Sequence, residues 1–211
     1  GVNDFVICCG YRGYMIKEYF ANYFLHTSDV TFDMKNNEMH VHHQRSEPWK
    51  VTLVDTGELT QTGGRVKRIS DHLDDTFCLT YGDGLSNINI AELIAFHKSE
   101  GCMATIAAVQ PEGRFGSLEI EGTKINRFLE KPKGDGQWVS GGFMVCEPEL
   151  LTRIDSDATI LEQGPLMGLA SEGKLSVRKH DGFWAAMDTL RDRNSLEAMW
   201  AENCAPWRIW T

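Results

Sequence analysis

Apolar runs of strand length that stop at a glycine- or aspartate-bearing turn and then give way to helical spacing recur along this chain. That alternation restricts it to an α/β fold. Thr76 to Tyr81 is compact and apolar, closes on Gly82-Asp83-Gly84, and is followed by apolar residues at helical spacing from Ile90 to His97, with Gly101 placed to cap the helix. The same order opens the chain: Asp4 to Cys9 is β-branched and aromatic, ends at Gly10, and precedes helical spacing from Tyr14 to Phe24. Val30 to Phe32, Met39 to His43 and Val51 to Val54 are short runs between polar turns, which predicts a local antiparallel excursion. Thr62-Gly63-Gly64-Arg65 opens a helix expected to reach Leu73. Met103 to Val109, Ser117 to Ile120, Ile125 to Leu129 and Trp138 to Cys146 then read as strands, and Glu162 to Ala170 and Leu190 to Ala201 as helices. The prediction is a mixed, mostly parallel sheet with helices on both faces.

At 211 residues the chain is long enough to bury a substantial core, and no linker, repeat or low-complexity stretch divides it. One domain over 1–211 is expected. Hydrophobic residues make up 42% and charged residues 24%, which excludes extensive disorder. The formal net charge of -9 argues against a surface that wraps a long nucleic acid, since that needs clustered Lys and Arg. A small anion in a local basic pocket stays open. No stretch approaches the length of a membrane span, and the N-terminus lacks the layout of a signal peptide. The six Cys include no C-x-x-C pair and mostly sit in apolar runs, the pattern of reduced thiols in a cytoplasmic protein.

Two carboxylates stand where apolar strands end. Asp83, between Gly82 and Gly84, sits just past a strand's C-terminal end, the edge at which open α/β sheets bind ligands. The alternative is a simple βα turn with Asp as its turn residue. Asp188, in Phe183-Trp184-Ala185-Ala186-Met187-Asp188-Thr189, is placed either to cap the following helix or to join Asp83 in holding one divalent cation. Magnesium suits the second role, because it takes one or two carboxylates and leaves its other positions to phosphate and water.

Cations come from two places. In Glu130-Lys131-Pro132-Lys133 the proline biases Lys131 towards an extended conformation that aims its ammonium across a pocket, unless the segment is a solvated turn. Arg65 follows a glycine pair at a helix start, where it is either a surface residue or a phosphate contact beside free backbone N–H groups. Gly141-Gly142 interrupts an otherwise good strand, which signals a bulge or close approach of a ligand. Gly113-Arg114-Phe115-Gly116 looks similar. His40-Val41-His42-His43 has two His on one strand face but no third ligand at a sensible spacing, so a polar face is expected rather than a metal site. Trp200, Trp207 and Trp210 crowd the C-terminus and need cover, from this domain or from a second copy in a homo-oligomer.

In order along the chain, Ile7-Cys8-Cys9-Gly10-Tyr11, Val54-Asp55-Thr56-Gly57, Thr62-Gly63-Gly64-Arg65, Tyr81-Gly82-Asp83-Gly84, Gly113-Arg114-Phe115-Gly116, Glu130-Lys131-Pro132-Lys133-Gly134-Asp135-Gly136 and Met187-Asp188-Thr189-Leu190-Arg191 resemble the sugar-1-phosphate nucleotidyltransferase superfamily. Within it they are most similar to the bacterial glucose-1-phosphate cytidylyltransferases. The resemblance implies a Rossmann-like sheet and the reaction of CTP with α-D-glucose 1-phosphate to give CDP-glucose and pyrophosphate. It also implies that Asp83 and Asp188 hold Mg²⁺ at the α-phosphate, that Lys131 contacts the sugar phosphate and that Arg65 faces the nucleotide phosphates. Gly82, Gly116, Glu130, Ser140, Gly141 and Gly142 would line the substrate site.

Two departures from the family pattern stand out. The chain opens at Gly1 where the family's second strand would begin, so its N-terminal strand, its G-G-x-G-T-R-L loop and a downstream lysine are absent from this stretch. More than one βα unit, over ~30 residues, is expected to be missing, and this stretch alone is expected to fold poorly and to turn over little substrate. The other departure is Ser140, where the family pattern has Asn before the glycine pair, which bears on sugar preference. An enzyme requires Arg65, Asp83, Lys131 and Asp188 all intact, as they are; a binding or regulatory module on the same scaffold would lose one of those charges. A uridylyl or thymidylyl transferase of the same superfamily is the nearer alternative. No G-x-G-x-x-G follows a strand, which argues against a dinucleotide-binding oxidoreductase.

Overall fold

The structure, a computed structural model, describes residues 2–42, 47–113, 116–130, 132–133 and 137–210. The chain divides into two units: Gly1–Asp74 with Leu151–Pro165, and Asp75–Leu150 with Leu166–Thr211. None of the three boundaries carries a linker, and both units are discontinuous in sequence, a division no composition shift announces.

In the first unit, β1 (Asp4–Cys9) pairs in parallel with β4 (Lys50–Asp55), from Asp4 opposite Lys50 to Cys9 opposite Asp55. The expected three-strand antiparallel excursion is therefore smaller. β2 (Asp29–Asp33) and β3 (Glu38–His42) form a hairpin, whereas the Val51 to Val54 run is half-buried along its length and belongs to the parallel pair. The helix expected from Tyr14 to Phe24 is broken into α1 (Gly13–Ala21) and α2 (Tyr23–Thr27). At the break, the Asn22 side-chain amide donates to the Glu18 carbonyl at 2.8 Å, competing with helical continuation.

Helix α3 (Thr62–Arg68) stops earlier than Leu73, and its glycine pair is explained by packing. A Cβ on Gly64 would lie 2.6 Å from the Asp157 Cα, so the segment around Asp157 to Leu161 approaches α3 backbone to backbone. Gly63 and Gly64 donate their N–H groups to the Thr159 carbonyl at 3.0 and 3.3 Å.

In the second unit, β5 (Phe77–Thr80), β7 (Ala104–Val109), β10 (Val139–Cys146) and β11 (Leu175–His180) make a sheet in the order β11-β7-β10-β5. β11 runs parallel to β7, while β10 is antiparallel to both β7 and β5. The sheet is mixed, as expected, with a larger antiparallel share than strand–helix alternation suggested. The reason is the connection from β7 to β10, which passes through the hairpin β8 (Ser117–Glu121) and β9 (Lys124–Leu129) rather than through a crossover helix. A second short pair, β6 (Gly84–Ser86) with β12 (Trp184–Ala186), is also antiparallel.

Helix α4 (Ile90–Glu100) covers one face of this sheet, with Leu93 packed among Ile88, Ala107 and Val145. Residues of opposite parity, Ala104, Met144 and Cys146, are as fully buried, so both faces of the central strands are covered. Helices α5 (Met167–Ser171) and α6 (Leu190–Ala201) complete the unit. In the tail, Trp207 packs on Phe183 at 5.4 Å between ring centroids, while Trp200 and Trp210 lie tilted against each other at 6.3 Å and stay exposed. Among the described residues no helix is long and apolar enough to cross a membrane.

One buried polar chain crosses this core. His97 is 1% exposed. Its Nε2 lies 2.9 Å from Glu147 Oε1 and its Nδ1 2.7 Å from Thr105 Oγ1, which in turn meets Ser176 Oγ at 2.6 Å. A carboxylate only accepts, so Nε2 carries the proton. Removing the ring strands buried partners and opens a cavity, and His97→Ala is expected to cost about 3 kcal/mol of stability; the midpoint of urea unfolding checks this. The six cysteines are free, and burial pushes the Cys146 thiol up to about 12. At pH 8 a maleimide is expected to modify the exposed Cys204 in the native chain and to reach Cys146 only on unfolding, read by peptide mass mapping.

Candidate active site

The β6–β12 ladder is short, yet it fixes where two carboxylates sit. Trp184 pairs with Ser86, Ala185 with Leu85 and Ala186 with Gly84. Just beyond it the Met187 N–H donates to the Asp83 carbonyl at 2.8 Å. Asp83 thus lies across from Met187, with Asp188 the next residue along. Both aspartates are exposed. Among the described residues neither carboxylate has a hydrogen bond or an ion pair.

The capping role open to Asp188 is filled by its neighbour. Thr189 is the N-cap of α6: its Oγ1 accepts the Asp192 N–H at 3.2 Å, and the Asp192 carboxylate accepts the Thr189 N–H at 2.9 Å. Asp188 is therefore not the cap. The backbone pairing brings Asp83 and Asp188 to the same strand end, and two carboxylates are the kind of hard-oxygen donors that Mg²⁺ takes when phosphate and water complete its shell.

Strand β10 brings its glycines to the same place. Phe143 lies opposite Thr80, the last residue of β5. The pairing with β7 jumps from Ser140–Ala108 to Met144–Ile106, so Gly141, Gly142 and Phe143 bulge out opposite Ala107. Gly142 has φ +74°, and a Cβ there would lie 2.8 Å from the Tyr81 ring. The bulge itself thus requires glycine at this position. Ser140 Oγ accepts the Gly142 N–H at 3.3 Å, and the Trp184 indole N–H donates to the Gly141 carbonyl at 2.7 Å. Ser140, Gly141, Gly142, Gly82, Asp83 and Asp188 are in this way gathered at one end of the second unit. A Cβ on Gly82 would meet nothing within 4 Å among the described residues, which leave open space beside Asp83.

Gly116 and Glu130 form a separate pair at the open end of the β8–β9 hairpin, just beyond Ser117 opposite Leu129; a Cβ on Gly116 would lie 3.4 Å from Glu130 Oε2. Lys131 lies outside the described residues, as do Arg114, Phe115 and residues 134–136.

Arg65 belongs to the first unit and is not a free surface residue. Its guanidinium donates to Thr56 Oγ1 at 2.8 Å, to the Glu58 carbonyl at 3.2 Å and to the Cys9 carbonyl at 3.4 Å. It is pinned at the C-terminal ends of β1 and β4, the sheet edge at which such folds bind ligands. The backbone N–H groups expected to lie free beside it are committed: those of Gly63 and Gly64 go to Thr159. Burial pushes the nearby Cys8 thiol up, opposed by the charge of Arg65. On β3, His42 bonds Thr31 at 3.0 Å and His40 faces Glu38 at 3.5 Å, which makes a polar strand face; His43 is outside the described residues. Among the described residues no group of three or more potential metal ligands occurs.

Trp184 and Thr189 had no role assigned from sequence. The signal for Thr189 was its spacing to Asp192, a capping pattern; that for Trp184 was an indole N–H in an apolar run, which needs an acceptor once half-buried.

An acidic pair at a strand end and a glycine bulge beside it are what a phosphate-handling α/β protein would need, and the family and fold have counterparts among known proteins. Residues 13–175 match the nucleotidyl transferase family, and the chain belongs to that family. Over its entire length it is 55% identical to the glucose-1-phosphate cytidylyltransferases of Salmonella typhi and Salmonella typhimurium, spanning 82% of each. In fold it is similar to UDP-glucose pyrophosphorylase complexed with UDP-glucose, with a TM-score of 0.63, 11% identity and coverage of 96% of this chain and 82% of that one. It is also similar to HddC from Yersinia pseudotuberculosis, with a TM-score of 0.60, 16% identity and coverage of 92% and 77%.

The division of labour between neighbours in sequence is testable by stability alone. Thr189→Ala removes the cap of α6 and is expected to cost about 1 kcal/mol. Asp188→Ala is expected to leave stability within about 0.5 kcal/mol of wild type, because its carboxylate has no partner among the described residues. Paired urea titrations of the two variants make the comparison.

Proposed function

We propose that this chain transfers a cytidylyl group from CTP to α-D-glucose 1-phosphate, giving CDP-glucose and pyrophosphate. The observation that carries the reading is the pairing of β6 with β12, which sets Asp83 beside Met187-Asp188, in a chain 55% identical throughout to glucose-1-phosphate cytidylyltransferases. A phosphate oxygen of the sugar phosphate attacks the α-phosphorus of CTP, the bond to the β-phosphate bridging oxygen breaks, and pyrophosphate leaves with that electron pair. No enzyme nucleophile is needed, so the protein's work is to position anions and neutralise charge.

In this reading Asp83 and Asp188 hold Mg²⁺. When bound, the ion draws charge from the α-phosphate as the trigonal-bipyramidal arrangement develops. Gly82, with open space above it, lets the phosphates approach the backbone beside Asp83. The bulge at Gly141 and Gly142, with Ser140, lines the sugar side, together with Gly116 and Glu130. Ser140 Oγ is turned onto Gly142, which suits a backbone-shaped rather than side-chain-shaped sugar contact at this position. Lys131 supplies an ammonium to the sugar phosphate, and Arg65 presents its remaining N–H groups to the nucleotide phosphates.

The test is pyrophosphate release by the natural full-length protein from CTP and glucose 1-phosphate, with and without Mg²⁺. Activity is expected with CTP and Mg²⁺ and to vanish with EDTA. Asp83→Ala and Asp188→Ala are each expected to lower kcat/KM about a thousandfold, equivalent to about 4 kcal/mol of transition-state stabilisation. Preference for UTP or dTTP would reassign the base. A folded protein inert with all three would leave a nucleotide-sugar-binding module.

A further inference from the structure

Three consecutive residues, Gly141 to Phe143, face Ala107 across the break in the β7–β10 ladder. A Gly-Gly step released from its ladder is the most flexible dipeptide a chain offers, and holding it in one shape has to come from outside the strand. Two contacts do this. Ser140 Oγ takes the Gly142 N–H at 3.3 Å from within β10, and Trp184, 43 residues away, gives its indole N–H to the Gly141 carbonyl at 2.7 Å. The second is the shorter and better placed, and the indole nitrogen can only donate, so the direction of the bond is fixed.

Trp184 is also the first residue of β12, the strand that runs on to Asp188. Its backbone is anchored opposite Ser86, and Asp83 and Met187 are tied by their own backbone bond. The spacing of the two carboxylates therefore does not depend on the indole, whereas the position of the bulge does. A ring on β12 thereby sets the distance between the wall formed by the bulge and the strand end bearing the acidic pair.

We infer that Trp184 is a positioning residue for the sugar phosphate: its indole N–H holds the Gly141 carbonyl, and with it the Gly141–Gly142 bulge, at a fixed distance from the Asp83 and Asp188 strand ends. The inference rests on the reading that this bulge lines the sugar side of a nucleotidyl transfer site. It assigns to Trp184 control of glucose 1-phosphate binding, with little influence on CTP or on the chemical step once both substrates are in place.

Trp184→Phe keeps an aromatic ring in the half-buried slot and removes the donor. In steady-state pyrophosphate release by the full-length protein, the KM for glucose 1-phosphate is expected to rise about tenfold, the size of effect that loss of one hydrogen bond produces. kcat and the KM for CTP are expected to stay within about twofold of wild type, with the melting temperature lowered by no more than about 4 °C; a merely structural role would move all of these together. An unchanged KM for glucose 1-phosphate in active Trp184→Phe would overturn the positioning role, and so would a uniform loss of kcat, both KM values and thermal stability. Wild-type activity, and its loss in Asp83→Ala, report separately on the underlying reaction: a wild type inert with CTP and glucose 1-phosphate sinks that assignment and the positioning role with it.

Discussion

The hydrogen bond from the Met187 N–H to the Asp83 carbonyl joins segments more than a hundred residues apart in sequence, and the candidate site is built outward from it. Neither strand that leads to it is long: β6 and β12 have three residues each. Isolated, such a ladder would be marginal in water. It persists because its flanks are held. Ser86 Oγ donates to the Phe183 carbonyl at 2.8 Å, and His180 Nε2 lies within 2.9 Å of Asn87 Oδ1 and 3.2 Å of the Phe183 carbonyl, so the turn into β12 is clamped to the exit from β6. Both neighbours accept, which puts the proton on Nε2 and makes the ring a donor shared between the two segments.

Polar groups in the second unit are thus divided between two ends with different duties. At the ends of β7, β10 and β11 near Thr105, Glu147 and Ser176, every polar side chain finds a partner and the network lies in the core around His97. At the other end, where β5 gives way to Gly82-Asp83 and β10 bulges, the carboxylates have no partner among the described residues and a turn is left open by them. Satisfied polar chains specify a core, while unsatisfied exposed charges contribute nothing to folding. That contrast, rather than the presence of aspartate in a turn, separates the site from the scaffold.

Much of this was legible in the sequence, and the failures have physical causes. Strands β5, β7 and β10 and helix α6 follow directly from apolar periodicity, because their burial is decided within a single element. β11 was not read as a strand because Arg178, Lys179 and His180 crowd its C-terminal half. As an edge strand, β11 places Arg178 against Glu92 of α4 at 2.6 Å and Lys179 over the Trp138 ring at 5.0 Å, so charge there is compatible with pairing. Val51 to Val54 was assigned to an antiparallel excursion because strand runs carry no direction; only the long-range match to β1 reveals it. Asp83 and Asp188 were visible as candidates, yet whether Asp188 caps α6 depends on a one-residue difference in where the helix starts. Trp184 lay inside a recognised motif without a role, since its acceptor is a backbone carbonyl of a distant strand and leaves no mark on the local sequence.

An acidic chain that handles two phosphorylated substrates faces an electrostatic conflict, and the arrangement at β6 and β12 suggests how it is contained. A net charge of -9 repels a triphosphate at long range, but at physiological ionic strength that repulsion fades over about 8 Å. What matters is the charge met at contact. In the proposed reading, a divalent ion held by Asp83 and Asp188 would cancel the two negative charges that otherwise oppose an incoming phosphate and would leave open coordination positions to it. Positive side chains alone would bind the sugar phosphate and the pyrophosphate product without distinction. A site that accepts phosphate only with such an ion bound would bind strongly only when nucleotide, ion and carboxylates are together, which would couple recognition to the geometry the transfer requires.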